Sequence, residues 1–230
     1  MNDPKIIVAL DYADANSARD LVEKLDPTLC RLKVGKELFT SAGPQFVENL
    51  VRSNFGVFLD LKFHDIPNTV AKACTAASNL GIWMLNVHAS GGVEMMQAAK
   101  QAVDSSKEKP LLIAVTVLTS MNQQTLHQIG IQTDLTQHVL NLATLTHQAG
   151  LDGVVCSALE APLLRNQFDK NFCLVTPGIR PANANQDDQS RIVTPADALR
   201  NGSSYLVIGR PITQATDPLK ALEAIHIECS

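Results

Sequence analysis

The chain has 230 residues, of which 45% are hydrophobic and 18% are charged, a composition typical of a globular protein with a large core. Its net charge of −4 argues against a general affinity for nucleic acid, since that affinity needs a basic surface. No apolar stretch approaches the roughly 20 residues that span a bilayer, and the first residues carry no signal-peptide pattern, so we expect neither a membrane protein nor a secreted one.

Eight short apolar segments recur along the chain and predict β-strands. They are residues 6–10, 31–34, 57–62, 84–87, 111–116, 153–156, 173–176 and 205–208. Their apolarity is continuous rather than alternating, which is typical of parallel strands covered on both faces. The segments between them are predicted to be helical, most clearly residues 67–80, 91–104, 135–149 and 213–227. Proline near the start and glycine just past the end of the first of these support that prediction.

This alternation predicts a (β/α)8 TIM barrel, formed as a single domain by residues 1–230. A doubly wound open sheet is the alternative, but the strand count and the lack of a glycine-rich turn after the first strand argue against it. The five cysteines form no CxxC pair and have mostly apolar neighbours, which favours small packed thiols in a reducing cytoplasm. The polar residues 181–190 follow the seventh strand and are predicted to form an active-site loop.

In a barrel of this type the active site lies at the carboxyl ends of the strands, and the charged residues of this chain fall there. Asp60 and Lys62 end the third strand, and because residues two apart on a strand point to the same face, they share a face. Buried charges are rarely unpaired, so an array of opposite charges is expected. Lys33 lies on the second strand, and Asp65 follows the third. Other polar residues follow the first, fifth, seventh and eighth strands, namely Asp11, Thr119, Ser120, Arg180 and Arg210.

The residues that follow the last two strands predict an anion-binding site. Arg180 follows Gly178 after the seventh strand, and Arg210 follows Gly209 after the eighth. Phosphate sites in barrels commonly use these two loops, and the planar guanidinium group matches phosphate oxygens. His64 and His88 also lie near strand ends, but no ligand cluster such as His-Glu-x-x-His occurs, so neither a metal nor another cofactor is predicted.

Several motifs resemble those of the orotidine 5'-phosphate decarboxylase family. They occupy residues 9–11, 32–35, 60–69, 87–89, 116–120, 176–180 and 207–211 and so cover nearly the whole chain. The resemblance implies conversion of orotidine 5'-phosphate to UMP and carbon dioxide, the last step of pyrimidine nucleotide synthesis, without metal or organic cofactor. It also implies a homodimer whose active sites are shared across the subunit interface.

The resemblance assigns a role to each polar residue at the strand ends. It implies that Lys62 protonates C6 of the pyrimidine and that Asp60, Asp65 and Lys33 complete the charged catalytic array. The substrate-binding residues that it implies are Asp11 and Lys33 at the ribose, Asp60, Thr119 and Ser120 near the pyrimidine, Gln189, Gly209, Arg210 and the nearby Arg180 at the phosphate, and Thr69, which with Asp65 would come from the partner subunit.

Two other functions share part of this pattern. Magnesium-dependent lyases or decarboxylases of sugar phosphates in the same barrel group have the Asp-x-Lys-x-x-Asp spacing, but the run through residues 67–69 and the two arginine loops favour the nucleotide enzyme. A non-catalytic sensor of a phosphorylated metabolite would keep the Arg210 site without needing the charged array. Activity without metal would distinguish the nucleotide decarboxylase from the first alternative, and turnover of the substrate would distinguish it from the second.

Overall fold

Eight parallel strands form a closed barrel in the computed structural model, which describes residues 3–181 and 193–229. Each strand pairs with the next along the chain, and β8 closes the ring by pairing with β1, with Ile6 opposite Leu206. The strands are β1 Ile6–Leu10, β2 Cys30–Gly35, β3 Val57–Phe63, β4 Met84–His88, β5 Leu111–Val115, β6 Gly153–Val155, β7 Cys173–Pro177 and β8 Tyr205–Ile208. The predicted (β/α)8 barrel is therefore confirmed, and the open sheet is excluded.

Helices surround the barrel, and ten α-helices lie within the described ranges. They are α1 Ala15–Val22, α2 Lys36–Arg52, α3 Pro67–Ser78, α4 Gly92–Asp104, α5 Gln123–Gln128, α6 Leu135–Gln148, α7 Ala161–Gln167, α8 Pro195–Arg200, α9 Arg210–Thr213 and α10 Pro218–Glu228. Several begin at a side chain that accepts hydrogen bonds from first-turn N–H groups, namely Asp14, Asn122, Asp134, Thr194 and Asp217. No described helix is long and apolar enough to cross a membrane.

The predicted helix over residues 213–227 is wrong in its bounds, because two helices occupy that part of the chain. The short α9 ends at Thr213, and α10 begins only at Pro218. Asp217 caps α10 by accepting a hydrogen bond from the N–H of Lys220, and proline suits the first helical position because it has no N–H to satisfy. This Asp-Pro pair is a helix start signal that the broader apolar pattern obscured.

The hydrophobic core lies in two layers, and its inner layer fills the barrel. Side chains pointing inward from the strands pack together, namely Ile7, Ala9, Phe58, Met84, Ile113, Val175 and Val207. At the amino-terminal end of the strands the Arg31 guanidinium lies 4.0 Å from the Trp83 ring centroid, and Trp83 packs edge-on against Tyr205. The interior is thus packed at its centre and at this end, so the space for a ligand lies at the carboxyl ends of the strands.

The cysteines are free thiols, as predicted. Cys30, Cys74 and Cys156 are buried, and Cys173 and Cys229 are half-buried. Burial raises the pKa of both the Cys30 and the Cys74 thiol to about 12, which leaves them protonated and unreactive at neutral pH.

Candidate active site

A cavity of about 380 Å³ opens at the carboxyl ends of the strands. Its floor is apolar and consists of the inward-facing side chains of Ala9, Phe58, Val115, Val155 and Val207. Its rim is polar and carries eight of the predicted site residues: Asp11, Lys33, Asp60, Lys62, Thr119, Arg180, Gly209 and Arg210. An apolar pocket with a few convergent charged groups is the usual form of a small-molecule site.

Four of these residues form a chain of alternating charges, which we term the charged chain: Asp11, Lys33, Asp60 and Lys62. The Lys33 Nζ lies 3.0 Å from Asp11 Oδ1 and 3.5 Å from Asp60 Oδ2. The Lys62 Nζ donates a hydrogen bond of 2.6 Å to the other oxygen of Asp60. Lys33 and Asp60 are each only 8% exposed, so both charges are buried against each other as the sequence predicts.

The Asp60 carboxylate is ionised at neutral pH despite its burial. Burial alone raises the pKa of this carboxyl group, but the charges of Lys33 and Lys62 and hydrogen bonds from Lys62 and Asn86 outweigh that effect. The net result is a pKa below the ordinary value for aspartate. The site therefore presents two cations around a fixed anion.

Strand β3 is irregular where it carries these charges. Leu59 pairs with Leu85 and Phe63 pairs with Val87, so three residues of β3, at positions 60–62, lie opposite the single residue Asn86 of β4. The Lys62 backbone takes the left-handed conformation, with φ of +54°. Such bulges occur next to active sites, where they redirect a side chain. The predicted shared face survives the bulge, because the Asp60 and Lys62 side chains both line the cavity.

Asn86 is a residue of this site that sequence reasoning missed. It is fully buried, and its side-chain amide joins Asp60 to the backbone of Lys62. The available signal was one polar residue inside the otherwise apolar start of the fourth strand, residues 84–87. A buried polar side chain needs hydrogen-bond partners, and the sequence does not reveal which partners these are.

The two predicted anion-binding cations line the same cavity as the charged chain. Arg180 is only 5% exposed, and its backbone N–H donates to the carbonyl oxygen of Val193. Gly178 supplies the positive φ, +80°, at the turn before it. Arg210 begins α9 directly after Gly209. Gln189, the remaining predicted phosphate contact, lies outside the described residues.

Three predicted site residues are exposed and lie outside the cavity lining: Asp65, Thr69 and Ser120. The Asp65 carboxylate accepts a hydrogen bond from the N–H of Ile66. Thr69 lies in the first turn of α3. Their assignment to the site stays a prediction, and for Asp65 and Thr69 that prediction requires a second subunit.

The two histidines near the strand ends pack close together. The rings of His64 and His88 have centroids 5.6 Å apart. Burial lowers the pKa of His88, and the nearby His64, Lys36 and Lys62 lower it further, so His88 is neutral at pH 7. Across residues 3–181 and 193–229 no group of three His, Cys, Asp or Glu side chains is placed to hold a metal ion. Metal independence itself remains a prediction for experiment.

Comparison with known proteins indicates the same kind of site as the geometry. The profile described as "Orotidine 5'-phosphate decarboxylase / HUMPS family" matches residues 4–225. Curated proteins named orotidine 5'-phosphate decarboxylase are 60% identical over 99% of both chains in Pseudoalteromonas atlantica and 61% identical over 98% of both chains in Vibrio cholerae.

A solved structure supports the same grouping. The crystal structure of orotidine 5'-phosphate decarboxylase from Lactobacillus acidophilus superimposes with a TM-score of 0.90 at 40% identity. The match covers 99% of this chain and 100% of that one. The match extends over the full length in sequence and in fold, and the charged chain of side chains lies in the cavity. This protein therefore belongs to the orotidine 5'-phosphate decarboxylase / HUMPS family.

Proposed function

We propose that this protein decarboxylates orotidine 5'-phosphate to UMP and carbon dioxide, the last step of pyrimidine nucleotide synthesis, without a metal or organic cofactor. The family description also names HUMPS, so the choice of reaction rests on the relatives of about 60% identity, which carry the decarboxylase name over nearly their full length. The observation that carries the proposal is the charged chain facing two arginines across one cavity.

The proposed substrate lies across the cavity with its phosphate at the arginine end. Gly209, Arg210 and Gln189 hold the phosphate, with Arg180 beside it, because guanidinium groups pair with phosphate oxygens through parallel hydrogen bonds. At the other end the charged chain meets the nucleoside, with Asp11 and Lys33 at the ribose hydroxyls. Thr119 and Ser120 lie by the pyrimidine. Lys62 and Asp60 then face C6 and its carboxylate.

The chemistry needs a cation next to C6. When the bond between C6 and the carboxylate carbon breaks, carbon dioxide leaves and the electron pair stays on C6 as a carbanion with little resonance stabilisation. The Lys62 ammonium group stabilises this charge by its field and then transfers one proton to C6, which gives UMP. The neutral amine regains its proton from solvent. Asp60, bonded to Lys62 at 2.6 Å and facing Lys33 at 3.5 Å, fixes both cations in place.

Electrostatic interactions of this kind are large, but they do not by themselves account for a large rate enhancement. Two unit charges about 4 Å apart interact by about 4 kcal/mol at an effective dielectric of 20. Repulsion between Asp60 and the substrate carboxylate is of the same order and is relieved when carbon dioxide leaves. The largest common rate enhancements require roughly 23 kcal/mol. Binding of the distant phosphate therefore contributes by closing and organising the site.

The proposal includes a homodimer with shared active sites. Asp65 and Thr69 are exposed and outside the cavity of their own chain, which is where residues that serve a partner's site would lie. Asp65 from the partner then completes the array around Lys62.

We also propose that the chain is a single barrel domain, since strands β1 and β8 from its two ends pair directly. A cytoplasmic location is proposed because all five cysteines are free.

Ultraviolet-monitored conversion of orotidine 5'-phosphate in the presence of EDTA tests the function. We expect rapid loss of substrate and appearance of UMP at the same rate with and without the chelator. Absence of conversion by a folded sample would overturn the proposal. Magnesium with sugar phosphates would then test the alternative lyase reaction, and tight binding without turnover would indicate a sensor.

A further inference from the structure

We propose that Asn86 is a positioning residue of this site, whose single amide group sets the orientation of the Asp60 carboxylate and the backbone conformation of Lys62 together. The inference rests on the proposed decarboxylation and extends it to a residue that does not line the cavity.

The amide of Asn86 joins two parts of the catalytic strand. Its Nδ2 donates to Asp60 Oδ1 at 2.7 Å, and its Oδ1 accepts the backbone N–H of Lys62 at 2.8 Å. The carboxylate can only accept and the backbone N–H can only donate, so a single orientation of the amide satisfies both partners. Asn86 is fully buried, and its neighbour across β5 is the apolar Ile113.

The bulge in β3 makes this amide necessary. Positions 60–62 lie opposite one residue of β4, so the regular ladder cannot supply a partner for every backbone group there. The side chain of Asn86 replaces the missing ladder acceptor for Lys62. It also holds Lys62 at φ of +54°, a conformation that a lysine backbone rarely adopts without support.

The same amide fixes the orientation of Asp60, the residue of the charged chain that contacts both lysines. Asp60 Oδ1 accepts from both Lys62 Nζ and Asn86 Nδ2, which leaves Oδ2 directed at Lys33. Without the amide, the carboxylate is free to rotate, and the Lys62 ammonium moves with it. A misplacement of about 1 Å can reduce a rate by roughly 100-fold. Because Asn86 does not line the cavity and is remote from the arginines proposed to hold the phosphate, we expect its loss to act mainly on the chemical step.

The test compares Asn86→Leu, which has the same branched shape and number of side-chain heavy atoms but forms no hydrogen bonds, with the wild type in the orotidine 5'-phosphate assay. We expect kcat to fall about 100-fold, while KM and the dissociation constant of UMP stay within about threefold, since Asn86 does not line the cavity. The control is Thr146→Val, which removes a fully buried hydroxyl from α6 and should lower stability without changing kcat.

Asn86→Asp supplies a readout that a purely structural role would not move. A protonated carboxyl group mimics the amide, because it donates to Asp60 and accepts from Lys62 N–H. Its ionised form cannot donate and repels Asp60. The ionisable groups facing Asp60 are Lys33 on β2, Lys62 on its own strand and His88 on β4. Since these groups are common to both proteins, the ratio of mutant to wild-type kcat reports the introduced carboxyl group together with its coupling to Asp60.

We expect that ratio to fall as the pH rises from about 5 to 9, as the introduced carboxyl group ionises. A ratio that stays constant with pH, or a kcat of Asn86→Leu within threefold of the wild type, would overturn the proposal. If Asn86→Leu does not fold, the pH dependence of Asn86→Asp decides alone. Failure of the wild type to convert orotidine 5'-phosphate in the same assay would instead refute the proposed function.

Discussion

Replacing Lys62 by alanine removes the cation and the proton donor at C6 in one step. The charge of Lys62 near C6 contributes about 4 kcal/mol, or roughly a thousandfold in rate, for charges about 4 Å apart at an effective dielectric of 20. General acid catalysis contributes roughly another 10²–10⁴-fold. We therefore expect kcat of the Lys62→Ala variant to fall by about 10⁵-fold or more.

The variant should nevertheless fold. Breaking a fully buried ion pair costs about 3–5 kcal/mol, but the Lys62 side chain is 24% exposed, so the loss lies below that range. Asp60 also keeps two partners, with Lys33 at 3.5 Å and Asn86 at 2.7 Å. Circular dichroism and thermal unfolding check the fold, and single-turnover conversion of orotidine 5'-phosphate measures the residual rate.

Lys100→Ala is a matched control for this change. The Lys100 side chain is 23% exposed and lies 3.0 Å from Asp104 and 3.4 Å from Asp152, so its burial and pairing are close to those of Lys62. It lies outside the cavity lining, and we expect its loss to reduce stability without reducing kcat. A kcat of Lys62→Ala within about a hundredfold of the wild type would refute the reasoning, because both contributions would then be too small.

Two further predictions concern the phosphate and the dimer. Arg210→Ala should raise KM and also lower kcat, because the phosphate both anchors the substrate and drives closure of the site. Unchanged values of both constants would contradict this role. The control is Arg200→Ala, on the exposed face of α8, which should leave both constants unchanged. Mixing inactive Asp65→Ala and Lys62→Ala chains should restore about one quarter of the wild-type activity, since random pairing in a twofold dimer gives each mixed dimer one intact site. If the mixture stays inactive, the sites are not shared between subunits.

Much of the fold follows from local patterns that a sequence displays directly. Continuous apolar runs predict parallel strands buried on both faces, and all eight predicted strands are present. The charged motif is equally local, because Asp60 and Lys62 are two residues apart and share a face by the geometry of one strand. The predicted helix over residues 213–227 is wrong in its bounds, because a capping aspartate starts α10 only at Pro218, after α9 has ended.

The sequence by itself therefore determined the strands, the order of the barrel and the residues at the strand ends, because each depends on neighbours along the chain. Only the tertiary structure decided how Asp11, Lys33 and Asp60 meet, since they lie just after β1, on β2 and on β3, and no local pattern specifies the register of these strands. The bulge in β3 and the bridging amide of Asn86 were decided in the same way. A hydrogen bond between residues 26 apart in the chain requires the two strands to be paired first, and that pairing is a property of the closed barrel.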